Sequence, residues 1–157
     1  MKAIITANMN GVLADHLSFC PFVTKETDDV KTIDVNTLSI DKYVDDGELE
    51  ELIVEGILDC VPITQAMNII KSLVRKIRHG GVIIITGIDA YLVAKAFVEI
   101  RITIEKFNVL MHGTDQDLQK TLNLTCSGVA HFLSEAGLKV VNRRIDNFQY
   151  SVKALRQ

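Results

Sequence analysis

Residues 54–89 read VEGILDCVPITQAMNIIKSLVRKIRHGGVIIITGID, and the change of hydrophobic period inside this stretch decides the fold. From Thr64 onward the apolar residues Ala66, Ile69, Ile70, Leu73, Val74 and Ile77 recur at i, i+3, i+4, i+7, i+8 and i+11. That spacing puts them on one side of an α-helix, so the segment predicts a helix over 64–79 with a single buried stripe. Pro62 stands near its start and Gly80-Gly81 just past its end, the asymmetry that helix termini favour. GVIIITGID at 81–89 then runs almost continuously apolar, as a strand covered on both faces does. Upstream, LEELIVEGILDCV at 49–61 predicts another apolar strand, or a strand with a short helical lead-in.

Working outward, KAIITAN at 2–8 is apolar through Ile4 and Ile5 and predicts a buried strand. GVLADHLSFCPFVTKETDD at 11–29 contains Pro21 and a charged end, and reads as loop or a single helical turn. VKTIDVN predicts a short strand with Val30, Ile33 and Val35, followed by an acidic, turn-rich stretch around Asp46-Gly47. On the other side, Asp89 can cap a helix whose stripe is Leu92, Val93, Ala96, Phe97, Ile100 and Ile104. NVLMHGTDQDLQKTLNLTC at 108–126 reads as a long surface loop with a short helix inside. Ser127 then caps GVAHFLSEAG, which Gly137 ends. LKVVNRRID and FQYSVKALR close the chain as two strands joined at Asp146-Asn147, a hairpin signal. The expected fold is therefore α/β and three-layered. Its parallel core sheet comes from segments near 2–8, 30–35, 51–58 and 82–88, with an antiparallel hairpin at 138–155 on one edge.

At 157 residues the chain predicts a single domain spanning 1–157. Hydrophobic residues make up 48% and mean hydropathy is +0.21, yet no apolar run reaches the roughly 18 residues of a spanning helix. A sticky surface or a subunit contact, and no membrane, is the expectation. Net charge is −3, and Lys71, Arg75, Lys76 and Arg78 read as the solvated face of a helix, so no nucleic-acid partner is expected. Cys20, Cys60 and Cys126 are odd in number and lack metal spacing, which fits reduced thiols in an intracellular, cytoplasmic protein. His16, His79, His112 and His131 show no spacing for a metal or a triad, although His79 is placed to meet a helix C-terminus. There is no Ser/His/Asp set, P-loop or hydrolytic carboxylate pair.

From about Asp28 to its end the chain resembles the class I S-adenosylmethionine-dependent methyltransferases, whose Rossmann-like sheet closes in a reversed hairpin. Residues 54–89 are similar to the family stretch in which strand four leads into a leucine-acid-histidine element, a helix, a Gly-Gly turn and strand five. SGVAHFLSEAGLKVVNRRIDNFQYSVKALRQ at 127–157 resembles the closing helix, an alanine-glycine turn and strands six and seven. The resemblance implies S-adenosylmethionine as cofactor. It carries the family's glycine-rich loop onto Thr6, Ala7, Asn8, Met9, Asn10 and Gly11, with Asn8, Asn10 and Gly11 as cofactor-binding candidates. Asp34 matches the acid near the adenine amine, or is a turn-capping aspartate. Asp59, in Leu58-Asp59-Cys60, keeps the family acid while Cys60 replaces the histidine, lying near the sulfonium or filling the strand end. Glu55, at a strand terminus, lines the pocket or is simply exposed.

Two departures bear on activity. The loop holds one glycine where the family needs two or three for close backbone approach. Only about two dozen residues separate Asn8 from Asp34, too few for a helix and a second strand of ordinary size. The shortened N-terminal half and degenerate loop imply a methyltransferase-like domain that binds the cofactor weakly or not at all. Such a domain acts as a structural or assembly subunit with a protein partner or a second copy. Trimmed versions of the fold occur in bacteriophage genomes, which implies virion association as a special case. The alternative is an active small methyltransferase using S-adenosylmethionine on an unknown acceptor.

Overall fold

The computed structural model describes residues 1–7, 13–21, 23, 26–114 and 119–157. Seven strands form one sheet: β1 (Lys2–Thr6), β2 (Leu17–Cys20), β3 (Val30–Thr32), β4 (Leu49–Glu55), β5 (Ile77–Ile88), β6 (Leu138–Asp146) and β7 (Gln149–Arg156). Their order is β3-β2-β1-β4-β5-β7-β6. The first five run parallel, while β7 is antiparallel to both β5 and β6. Four α-helices follow β4 among the described residues: α1 (Ala66–Lys76), α2 (Ala90–Val98), α3 (Ile104–His112) and α4 (Cys126–Glu135). None among the described residues is long and apolar enough to cross a membrane.

One face of the sheet is the core. Phe19, Ile5, Val54, Ile85 and Val152 lie in register across five strands, with Ala3, Leu52, Ile83 and Ala154 one level below, and all are buried. Ile69, Ile70 and Leu73 of α1 and Val129, Ala130 and Leu133 of α4 join the same cluster. The 3.6-residue stripe of 64–79 is thus the surface that docks onto the sheet, and α1 ends where Arg156 reaches back from β7. Its Nη1 donates to the carbonyls of Val74 (3.2 Å) and Arg75 (3.0 Å), which also accept from the Ile77 cap amide and the Gly47 amide.

The structure corrects several sequence expectations. Leu17–Cys20, within the stretch read as loop or helical turn, is β2, paired in parallel with β1. Four residues bounded by Pro21 carry too little pattern to announce a strand; pairing on both sides makes it one. The expected helix through Ile104 is two helices. It breaks at Ile100, which has φ +55° and is 90% exposed, so of that stripe only Val93 and Ala96 are buried. The short helix expected inside 108–126 is the end of α3, but Leu122 and Leu124 of the expected surface loop are buried. Gly80-Gly81 does not simply follow α1. Ile77 already pairs with Leu49, and residues 78–81 loop out before Val82 pairs with Glu51, Gly80 taking φ +76°. The cap of α4 is Thr125, whose hydroxyl accepts from the Gly128 amide at 3.0 Å, rather than Ser127. The hairpin turns one residue later than expected, at Asn147 and Phe148, both with positive φ as a two-residue turn matched to strand twist requires. His79 meets the Gln157 carbonyl rather than a helix end.

Lys76 also departs from expectation. It belongs to no solvated face: it is 5% exposed, and its Nζ lies 2.6 Å from Asp41 and 2.8 Å from Asp46. Hydrogen bonds from that ammonium hold both carboxyls below the usual aspartate range and fasten the 41–46 turn over the end of α1.

Gly87 shows how tightly the sheet is packed beside the later site. It faces Tyr150 across the β5–β7 pair, and a Cβ there would meet the phenol oxygen at 2.6 Å and Cζ at 2.9 Å. Tyr150 is fully buried and cannot swing away. Gly87→Ala is therefore expected to lose about 1–3 kcal/mol in urea unfolding, by overpacking. Adding Tyr150→Phe, which removes the nearest atom, recovers part of the loss; no recovery would place the strain elsewhere.

Candidate functional site

Strand order reverses between β1 and β4: β1 leads to β2 on one side, and the chain returns from β3 to β4 on the other. In open α/β sheets the crevice at the carboxyl ends of the strands on either side of such a reversal is where ligands bind. Thr6 and Glu55 are register partners at those ends, and the Thr6 hydroxyl donates to the Glu55 carboxylate at 3.1 Å. Gly56 follows with φ +61°, turning the chain away from the crevice, and its amide donates to the Thr86 carbonyl at 3.0 Å. Glu55, half-buried, therefore stands where the sequence placed a strand-terminal pocket group.

The turn Leu58–Cys60 comes next and carries Asp59, 3% exposed. Residues 119–124 pass over it as a strap. The amides of Thr121 and Leu122 both donate to the Asp59 carbonyl at 2.9 Å, and the Thr121 hydroxyl donates to the Val61 carbonyl at 3.0 Å. The Asp59 carboxylate takes a hydrogen bond from the Ile88 amide, while its Oδ1 is buried without a protein partner. Burial raises its pKa from 3.8 to about 6, against the opposing pull of Lys120 and that amide. The cavity that it shares with Lys120, Leu110 and Leu122 has a volume of about 10 Å³, room for a single water molecule. Cys60, also buried, fills the turn.

Asp34 lies two residues past β3, exposed. Its Oδ1 accepts from the Asn36 amide (2.8 Å) and the Asn36 side chain (3.1 Å), and its carbonyl accepts from Leu38. The geometry is that of a turn-capping aspartate. Asn8, Asn10 and Gly11 lie outside the described residues. At the end of β2, where the resemblance to the methyltransferases implies an acid that takes the ribose hydroxyls, the chain has Cys20-Pro21, and Cys20 is buried.

A second concavity of about 550 Å³ opens past β5, among Asp89, Tyr91, Leu92, Thr125, Cys126 and Arg143. Asp89 organises its floor. Its Oδ1 accepts from the Leu92 amide (3.0 Å), capping α2 as expected, and its Oδ2 accepts from the Cys126 amide (2.8 Å) at the start of α4. One carboxylate thus joins the starts of two helices; burial, and after it the Asp89 charge, raises the pKa of the Cys126 thiol. The second bond spans 37 residues and no local pattern signals it. Tyr150, missed for the same reason, has a buried hydroxyl without a protein partner, pushed toward its neutral form by burial and then by the Asp59 charge. No cluster of His, Cys, Asp or Glu suited to a metal ion occurs among the described residues.

The strand order with its reversed terminal pair is that of the class I S-adenosylmethionine-dependent methyltransferase fold, and solved structures agree. The chain superposes on an S-adenosylmethionine-dependent methyltransferase from Mesorhizobium loti with a TM-score of 0.67 at 8% identity, over 99% of this chain and 90% of that one. It matches a putative methyltransferase from Haloferax volcanii, solved in complex with the Trm112 methyltransferase activator, with a TM-score of 0.62 at 10% identity, over 98% and 81%. It also matches one from Aquifex aeolicus with a TM-score of 0.52 at 10% identity, covering 83% of this chain but only 56% of that longer one. No protein-family model and no curated protein matches the chain.

Proposed function

We propose that this chain uses a methyltransferase fold as a structural or assembly subunit, working through its surfaces rather than by transferring a methyl group. The observation that carries the reading is the end of β2, where Cys20-Pro21 stands in place of a carboxylate. A ribose diol placed at the crevice finds no paired acceptor there, and each unmet hydroxyl costs about 1–3 kcal/mol. Neither Asp34 nor Asp59 supplies the anchor. Asp34 is committed to its own turn, and Asp59 lies beneath the 119–124 strap beside space for one water. The donor set among the described residues therefore does not fit S-adenosylmethionine. The Haloferax volcanii neighbour, solved with an activator protein, supports the expectation that the fold takes a protein partner.

A second reading, an active small methyltransferase, rests on Glu55. A half-buried carboxylate at the strand-order reversal is well placed to attract a sulfonium or an amine, and in that reading Asn8, Asn10, Gly11, Asp34 and Asp59 would hold S-adenosylmethionine. Thermal unfolding separates the two. A ligand present at a hundred times its Kd adds about 2.7 kcal/mol, which raises the Tm of a chain this size by several degrees. We expect millimolar S-adenosylmethionine to leave Tm unchanged; a rise of several degrees would restore the enzymatic reading.

A further inference from the structure

The two faces of the sheet are finished differently. Helices α1 and α4 both pack on the face of Ile5, Val54 and Ile85, whereas α2 and α3 pack chiefly on each other. On the opposite face, Ile4, Ser18 and Cys20 of β1 and β2 are buried, and His16 approaches that side with its Nε2 3.1 Å from Glu51. From β4 outward the cover ends among the described residues. Ile53, Val82, Ile84 and Leu155 remain half-buried and form an apolar strip across β4, β5 and β7.

Charge flanks this strip asymmetrically. Glu51, with Lys2 at 3.7 Å and His16 at 3.1 Å, and Glu55, which accepts from Thr6, stand on β4, one level below and one above Ile53. On the far side Lys153 pairs with Ile84 across β5 and β7, and its ammonium has no carboxylate partner among the described residues. Lys139 and Arg144 of β6 lie beyond it.

From this pattern we infer that a second copy of the chain packs face to face on this strip, about a two-fold axis running along β5, with Lys153 of each copy over Ile53 of the other. The inference rests on the reading of the chain as an interaction subunit and names its partner. Sheets stack about 10 Å apart with strands roughly aligned, and strands are spaced about 4.8 Å within each sheet. An axis along β5 therefore lays β4 of one copy over β7 of the other at the same level. Each Lys153 then sits between Glu51 and Glu55 of the opposite copy, and Ile84 meets its own mate on the axis. The alternative two-fold, perpendicular to the strands, would stack Glu51 on Glu55 and Lys139 on Arg144, and like charges in direct opposition are repulsive. The axis along β5 also lays Lys139 over Lys2, but Lys2 has Glu51 at 3.7 Å beside it, whereas the perpendicular axis sets Lys153 on Lys153 as well; the balance of charge selects the first packing, and the contact is closed, as an isologous dimer requires.

Sedimentation equilibrium of the full chain tests this. A dimer is expected at concentrations of tens of micromolar, with Ile84→Glu monomeric and its circular dichroism unchanged. Lys153→Glu and Glu55→Lys, each first shown by circular dichroism and urea unfolding to keep the fold, are both expected to weaken self-association at least tenfold. An equimolar mixture of those two is expected to regain a heterodimer, because the two reversed positions then face each other and the unaltered Lys153 faces the unaltered Glu55. A monomeric wild type, a dimer indifferent to Ile84→Glu, or a mixture that stays monomeric would overturn the inference. None of these outcomes changes the S-adenosylmethionine titration, and cofactor binding by a chain that still dimerises would refute the proposed function alone.

Discussion

Asp89→Ala is expected to cost about 2–4 kcal/mol of folding stability. The loss has two sources. Removing an N-cap oxygen from α2 costs about 0.5–2 kcal/mol, because the Leu92 amide loses its only acceptor at the helix start. Removing the other oxygen strands the Cys126 amide, a buried donor, at about 1–3 kcal/mol. Water entering from the 550 Å³ concavity beside Asp89 would hold the loss toward the lower end. Asp89→Asn is expected to lose about half as much, since one carboxamide oxygen can serve one amide while the NH₂ group faces the other. Urea unfolding measures both. Losses below about 0.5 kcal/mol for the alanine variant would mean that Asp89 does not join α2 to α4.

Asp59→Asn carries the opposite sign. The Asp59 pKa rises from 3.8 to about 6 on folding, so between those values the folded chain holds a proton that the unfolded chain has released. Stability therefore falls as pH rises through this window, and above it the buried charge costs up to about 3 kcal/mol. Asparagine keeps an acceptor for the Ile88 amide and removes the charge. The variant is expected to be more stable than wild type at pH 8 by up to about 3 kcal/mol, the gap closing toward pH 4. The depressed Asp41 and Asp46 act the other way, losing stability as pH falls below their ordinary range, but they are common to both proteins and cancel in the difference. A gap that does not change with pH would show that Asp59 is not ionised within a buried site.

Why some elements were legible in the sequence and others were not follows from where their specifying interactions lie. The helix at 66–76 and strand β5 were readable because a one-sided stripe followed by an all-apolar run has few other solutions. β2 was not, since its four residues become a strand through pairing with β1 and β3 rather than through any pattern of their own. The break at Ile100 was hidden because the apolar period continues through it; only the left-handed backbone there separates α2 from α3. Lys76 read as solvent-facing because its two aspartates come from a turn 30 or more residues away. At the site, the helix cap by Asp89 was visible as an aspartate before an apolar stripe, whereas its bond to Cys126 and the contact of Tyr150 with Gly87 depend on chain returns that no local spacing records.

The most direct measurement of the central claim is titration calorimetry of the full chain with S-adenosylhomocysteine, which probes the ribose and adenine contacts without any acceptor. If the end of β2 supplies no anchor, the titration yields no saturable heat and any Kd is weaker than about 1 mM. A Kd of about 10 μM or tighter would contradict the account and return Asn8, Asn10, Gly11, Asp34 and Asp59 to the role of a working cofactor site.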